Sequence, residues 1–367
     1  MSEKGFIISK KYYLMQEKLV KILHNFLDFS ADTEGSLFIE NLKSGHINDT
    51  FKVVVSQQNF ILQRVNTAIF PEPLKIMENI EIVANHLKSK DYKRKILSFI
   101  KTKSNTAIHF DNGDAWRLMP FIDNTYSILK VENENQAFIA AEAFGEYLSF
   151  LSDLDINTVH TILPNFHNAD FRIQQHKDAL KSTPSVLRLK NAENDLAFIQ
   201  QLLPYFVNKK LNIPLRVTHN DTKISNILFD KTTHQAACIS DLDTLQTSTL
   251  LADFGDMVRS YTCSYDEDFA DPTQIQMRFS YFEALFLGFY KKLNQKILEE
   301  EKVLLIYGAE RTIFVQALRF MTDYLNNDVY YQTKYAEHNL VRAQNQLALL
   351  ASIQQQRGKM EVLIRKI

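Results

Sequence analysis

Thr218-His219-Asn220-Asp221-Thr222-Lys223-Ile224-Ser225-Asn226 is the stretch on which the reading of this chain turns. Its pattern is H-x-D-x-K-x-x-N, which gathers an imidazole, a carboxylate, an ammonium and an amide into one short polar loop. Strand-like residues flank it. Leu215-Arg216-Val217-Thr218 leads in, and Ile227-Leu228-Phe229, a turn and Ala237–Ser240 lead out as a hairpin. Ile239-Ser240-Asp241-Leu242-Asp243-Thr244 then places two more carboxylates just past the second strand of that hairpin.

Outward from this loop the two ends of the chain differ in texture. Ser36–Leu42, Thr50–Ser56 and Asn59–Val65 are short runs rich in Phe, Ile and Val, which predicts three consecutive antiparallel strands. Pro71 and Pro73 precede Leu74, Met77, Ile80, Val83 or Ala84, and Leu87, the spacing of one helix face with proline at its start. Ala107–Phe110, Asp111-Asn112-Gly113-Asp114 and Ala115–Ile122 read as a hairpin around Asn-Gly. From Glu134 the period becomes helical: Gln136–Leu151, Asp195–Asn208, Ser280–Leu293 and Val303–Leu325 are amphipathic. The expected fold class is therefore α+β, with a β-rich lobe over residues 1–122 and a mainly helical lobe over 123–367.

Composition narrows the partners. The 367 residues hold 42 basic and 43 acidic side chains, a net charge of -1, so no basic field suits nucleic acid or a membrane surface. Two cysteines, Cys238 and Cys263, are too few for a disulfide framework or a cysteine-ligated zinc site. The charged N-terminus lacks a signal-peptide pattern, and no apolar stretch approaches a membrane span, so a cytoplasmic location is expected. The nine glycines form neither G-x-G-x-x-G nor G-x-x-x-x-G-K-[ST], so any nucleotide site must be built without those loops. Nothing in the sequence sets an oligomeric state.

The loop chemistry is that required for moving a phosphoryl group. A hydroxyl must be aligned and its proton accepted by a carboxylate, hard oxygen ligands must hold a divalent cation, and a positive group must offset phosphoryl charge. Asp221 supplies the base, Asn226 and Asp241 the magnesium ligands, and Lys223 the compensating charge. His219 suits holding the loop's shape. Asp243 is either a further metal ligand or a cap of its loop. Asp253 and Asp256 suit helix capping or bracing of the loop, with Arg259 as the ion-pair partner of Asp256.

The segment resembles the catalytic loop of protein kinases and the H-x-D-x-x-x-x-N motif of aminoglycoside-phosphotransferase-like small-molecule kinases. Asp241 is followed by Leu242-Asp243 rather than by the Phe-Gly of protein kinases, and A-P-E and a glycine-rich loop are missing, which favours the small-molecule branch. Within it, Ser44–Phe51, Phe60–Asn66, His219–Lys223, Asp241–Thr244, Asp253–Asp256, Arg319–Leu325 and Asp328–Tyr331 resemble the N-acetylhexosamine 1-kinases. The resemblance implies a protein-kinase-like bilobal fold with ATP in the cleft, and Mg²⁺-dependent phosphorylation of the C1 hydroxyl of N-acetylglucosamine or N-acetylgalactosamine. It further implies sugar contacts at His46, Asp221, Lys223, Arg319 and Tyr330, with Tyr331 where the family has tryptophan. Phe166-His167-Asn168 and Arg172 share the likeness without a physical role.

Other positions follow from that framework. Gln63 and Arg64 stand on the third strand where kinases place a lysine, and alternation puts them on opposite faces. Arg64 is the candidate phosphate ligand, with Glu78 as its partner and Glu81 as runner-up. Met119-Pro120-Phe121-Ile122 is the expected adenine-binding hinge, and since proline lacks an N–H, Phe121 or Ile122 must donate. An aminoglycoside, choline or amino-acid-type alcohol kinase is the alternative. Residues 301–367 carry six acidic and nine basic side chains, which suits a polycationic acceptor poorly. A catalytically silent nucleotide-binding regulator is the alternative from another class. On Arg319 two readings compete: a sugar contact, or an ion pair with Asp323 one helical turn on.

Overall fold

The structure, a computed structural model, describes residues 15–29, 37–42, 47–182 and 184–367. They separate into two compact units, Met1–Thr125 and Tyr126–Ile367. In the first, β1 (Leu37–Leu42), β2 (Asp49–Val55) and β3 (Gln58–Val65) are the three expected strands. β4 (His109–Asp111) and β5 (Asp114–Pro120) are the hairpin. The sheet order is β1-β2-β3-β5-β4, and each neighbouring pair runs antiparallel. Asn112 and Gly113 both have positive φ, 49° and 87°, as the two-residue hairpin turn demands.

Strand alternation sorts this sheet into two chemically different faces. On one face Phe51, Val53, Phe60, Leu62, Trp116 and Leu118 are buried with Leu19, Ile22 and Leu23 of α1 (residues 15–23). The other face carries Gln63 and its cross-strand neighbour Arg117, with Met77 of α2 (Pro73–Ser89) against Arg117. In α2 the expected apolar positions Met77, Ile80, Val83, Ala84 and Leu87 are buried. Leu74, in the proline-led first turn, is 46% exposed.

The second unit follows the helical reading and adds elements to it. β6 (Thr125–Tyr126), β8 (Ile227–Asp230) and β9 (Ala236–Ile239) form one small sheet. β7 (Arg216–Thr218) pairs with β10 (Gln246–Ser248) in another. The helices are α3 (Glu134–Phe150), α4 (Ala169–Lys181), α5 (Val186–Asn191), α6 (Glu193–Phe206), α7 (Leu250–Thr262), α8 (Phe279–Leu293), α9 (Glu299–Lys302), α10 (Leu305–Leu325) and α11 (His338–Lys366). α10 packs against α4, α7 and α11, and α3 packs against α8. Phe254, Phe282, Phe286 and Phe289 are fully buried, each contributing roughly 1.5–3 kcal/mol. Gly145 and Gly288 let α3 and α8 approach at backbone distance. A Cβ at Gly145 would overlap the Phe289 carbonyl, and one at Gly288 the Phe138 carbonyl.

Asp253 and Asp256 lie inside α7, so the helix begins earlier than their expected capping role implies. No helix among the described residues is long and apolar enough to cross a membrane. Cys238 and Cys263 are both buried, and neither is in a disulfide among the described residues.

Candidate active site

The 218–226 loop is held from behind by residues of the Thr244–Gln246 segment and of α7. Asp253, in the first turn of α7, accepts the backbone N–H groups of His219 at 2.9 Å and Asn220 at 2.6 Å. The Thr222 hydroxyl donates to the Asp253 carbonyl, and the Tyr261 hydroxyl donates to the Thr222 carbonyl. Thr244 donates to the His219 carbonyl at 2.7 Å. The Asn220 amide donates to the carbonyls of Thr218, Thr244 and Gln246. Asn220 itself sits in the left-handed region at φ 67°, a conformation asparagine tolerates better than most residues. The lone Asp253 carboxylate is buried, and burial pushes it up to about 6 against the lowering effect of His219 and the two amides.

His219 shapes the loop. Its Nδ1 accepts the Asp221 N–H at 3.2 Å, so Nε2 carries the proton and donates to the Ser240 carbonyl at 3.0 Å. Both ring nitrogens are thereby occupied with backbone. Ser240 N–H donates to the Asn226 carbonyl at 2.8 Å, and Ile227 pairs with Ile239. The base of the β8–β9 hairpin therefore sets Asn226 beside the residue preceding Asp241.

Asp221 is the best-held carboxylate on this loop. The Asn226 amide donates to its Oδ2 and to its backbone carbonyl, each at 2.8 Å. Lys223 Nζ lies 3.0 Å from its Oδ1. Burial pushes the Asp221 carboxyl up, but the Lys223 ammonium, His219 and the Asn226 amide outweigh it and hold the carboxyl below its usual range. The same pairing raises the Lys223 ammonium. Asp221 is thus an anion at neutral pH with its oxygens oriented.

Two oxygen-bearing side chains, Asn226 at the end of the loop and Asp241 just past β9, suit a hard cation. The Asn226 Nδ2 is spent on Asp221, which leaves the amide oxygen facing away from that carboxylate. Asp241 is exposed and stands at φ 56° immediately before the Leu242–Thr244 turn. Asp243 is buried, with 2% of its surface exposed. Among the described residues no group of three or more His, Cys, Asp or Glu side chains forms a metal cluster. The carboxylate-plus-amide pair fits magnesium, which dehydrates reluctantly and takes few protein ligands.

A second cluster lies beside the loop. His167 Nε2 is 3.2 Å from the Asn220 carbonyl, and Phe166 stacks edge-on to His167. Burial pushes His167 down to about 4, so its ring is neutral and Nε2 donates. Arg319 of α10 lies over the rings of Phe166, Tyr330 and Tyr331 at 5.4, 5.9 and 5.5 Å. The ion pair with Asp323 is not formed. Asp323 instead accepts the N–H groups of Tyr330 and Tyr331 at 2.8 and 2.9 Å and the Asn339 amide at 2.9 Å. Arg319 donates to Gln316.

The first unit alters two expectations. Arg64 lies on the face opposite Gln63, bound to Asp49, its cross-strand partner, and to Asp114 at 3.3 Å. It is paired with neither Glu78 nor Glu81; Glu81 faces Lys101 at 3.5 Å. The cation on the α2 face is Arg117, 2% exposed and donating twice to Gln63. Alternation allowed either face, and only the register decides. At the hinge, Met119 is buried in β5, and the Phe121 N–H is spent on the Asn59 carbonyl at 3.0 Å, extending the β3–β5 pairing. Of the two expected donors, Ile122 keeps its N–H. His46 lies outside the described residues. The contact of His167 with the Asn220 carbonyl escaped the sequence because nothing in its spacing announces it.

A two-unit fold of this order, with such a loop, defines a kinase-like phosphotransferase. The chain belongs to the phosphotransferase enzyme family, whose pattern it matches over residues 39–284. It is a small-molecule phosphotransferase. Solved structures agree in fold. Spectinomycin phosphotransferase in complex with ADP and spectinomycin is similar at TM-score 0.61 and 11% identity, covering 92% of this chain and 98% of that one. A microcompartment-associated aminopropanol kinase matches at TM-score 0.58 and 11% identity, covering 93% and 98%. Choline kinase from Cryptosporidium parvum Iowa II matches at 0.57 and 11%, covering 96% and 99%.

Proposed function

We propose that this phosphotransferase moves the γ-phosphoryl group of ATP to the anomeric C1 hydroxyl of an N-acetylhexosamine. The observation that carries the phosphoryl-transfer part is the Asp221 carboxylate, ionised and fixed by Asn226 and Lys223. Asp221 orients the acceptor hydroxyl and takes its proton as the O–P bond forms and the bond to ADP breaks. Lys223 offers its remaining N–H donors to the transferring phosphoryl oxygens. Asn226 and Asp241 would hold Mg²⁺, whose charge would offset that of the phosphates; Asp243, being buried, supports the turn. The Ile122 N–H is the donor for adenine. Catalysis rests on positioning and fixed electrostatics.

The sugar part rests on Arg319, Tyr330 and Tyr331 beside the loop, together with the resemblance of the Arg319–Leu325 and Asp328–Tyr331 segments. Arg319 donates to ring hydroxyls or the acetamide carbonyl, and Tyr330, 61% exposed, offers an aromatic face. An aminoglycoside, choline or other cationic alcohol is disfavoured, because an arginine with no carboxylate partner repels it. A panel of N-acetylglucosamine, N-acetylgalactosamine, glucose, choline and an aminoglycoside with ATP and Mg²⁺, with product position read by phosphorus NMR, tests this. An anomeric phosphate on an N-acetylhexosamine is expected. Turnover of choline or the aminoglycoside alone overturns the sugar assignment, and no turnover of any acceptor favours a silent nucleotide-binding protein.

A further inference from the structure

Arg319 does not stand alone. Arg172 is on α4, which packs against α10, and burial first and the nearby Arg319 guanidinium second lower the pKa of Arg172; the neutral phenols of Tyr331 and Tyr330 are its other neighbours. Arg172 donates one bond, from Nη1 to Gln175 at 2.8 Å. Its Nε is buried and has no hydrogen-bond partner among the described residues. The Tyr331 hydroxyl is also buried without a well-formed hydrogen bond, with Gln316 beside it. No described carboxylate is bonded to Arg172 or Arg319. Glu267 and one oxygen of Asp256 pair with Arg259, at 3.0 and 2.8 Å. Asp323 is spent on backbone amides.

Two like charges near one another, one with an orphaned buried donor, cost stability that ring faces alone, Phe171 for Arg172 and Phe166, Tyr330 and Tyr331 for Arg319, offset only in part. A bound anion would offset it, since guanidiniums take carboxylate or phosphate oxygens in charge-assisted pairs. We propose that Arg172 and Arg319 form a clamp for an anionic substituent, a carboxylate or a phosphate, carried by the sugar acceptor. This rests on the sugar-kinase reading and extends it: the preferred substrate is an acidic N-acetylhexosamine rather than the neutral one. Arg172 is then the residue that sets specificity, and the Phe166–His167 contact to Asn220 ties the clamp to the loop bearing the base.

The test is calorimetric titration of the full chain, with a non-hydrolysable ATP analogue and Mg²⁺, using three acceptors. These are N-acetylglucosamine, N-acetylglucosamine 6-phosphate and N-acetylglucosaminuronic acid. At least one charged sugar is expected to bind about tenfold tighter than the neutral one. Which of the two does so identifies phosphate or carboxylate. Arg172→Gln is expected to bring that ratio within about twofold of unity, while Arg172→Lys, retaining the charge, keeps part of it. The neutral sugar binding as tightly as both charged ones, or a preference that survives Arg172→Gln, overturns the clamp while leaving the sugar reading intact. Failure of all three sugars to bind overturns the sugar reading and the clamp with it.

Discussion

The 218–226 loop and the Arg172–Arg319 cluster are neighbours with opposite accounting of charge. On the loop, Asp221 faces Lys223, His219 bonds at both nitrogens, and Asp253 collects two amides. In the cluster, two cations stand without a carboxylate and a buried donor has no acceptor. The first arrangement is complete before any substrate arrives, as preorganised catalysis needs. The second is complete only with a ligand, as recognition needs. His167 joins them, with its ring on the Asn220 carbonyl and its neighbour Phe166 under Arg319.

Breaking the loop's chemistry has the largest expected effect. Asp241→Ala removes a hard oxygen donor, and activity is expected to fall about a thousandfold or more, as does wild-type activity in excess EDTA. Retained turnover in EDTA removes the metal from the mechanism. Asp221→Asn keeps the shape and loses the base, so kcat is expected to fall roughly a hundredfold or more with an unchanged melting temperature. Because Asp221 is held below the usual carboxylate range, the base stays ionised across the neutral region. The wild-type pH–rate profile is therefore expected to show no acid limb from it above about pH 5.

The support behind the loop comes next. Asp253→Ala strands the His219 and Asn220 amides in a buried place, at a cost of about 2–4 kcal/mol in stability. Denaturant unfolding measures it; a loss below about 0.5 kcal/mol would mean the amides find other acceptors. Arg319→Ala separates the two regions, since it should raise the acceptor KM about tenfold with little change in the ATP KM or melting temperature. An unchanged acceptor KM with a loss of melting temperature returns Arg319 to a packing role.

The smallest effect concerns the joint. His167 has its folded pKa lowered to about 4 from an ordinary 6.5. The unfolded chain therefore binds the extra proton first, and stability falls as pH drops from about 6.5 to about 4. His167→Gln can still donate to the Asn220 carbonyl but takes up no proton. Its stability relative to wild type is expected to rise across that window, by at most about 3 kcal/mol, and to be flat above pH 7. Parallel pH curves for the two proteins rule out a buried neutral His167.

Much of this was legible in the sequence, for identifiable reasons. The strands β1 to β3, the Asn-Gly hairpin and the helices α3, α6, α8 and α10 show their periods in their own residues. The loop residues are contiguous, so their proximity needed no fold. What stayed hidden depends on register or on distant packing. Arg64 and Gln63 alternate, and only pairing with Asp49 and Arg117 shows which face each takes. The hinge donor was undecided until Asn59 claimed the Phe121 N–H. α11 buries Asn339, Asn345, Gln346 and Ser352 beside its apolar residues, which blurs any single apolar face. Arg172 and Arg319 are brought into one region by the packing of α4 on α10, elements far apart in the chain.

The crossing of α3 and α8 places a limit on how this chain can change over generations. A tight contact between a large and a small residue can drift, because growth on one side is met by shrinkage on the other. At Gly145 and Gly288 each would-be side chain meets the backbone of the opposite helix, and backbone cannot be trimmed. Neither position has a smaller residue to fall back on, and neither can compensate for the other. The two glycines are thus fixed separately rather than as a covarying pair, and the helix pair that carries them is inherited as a unit.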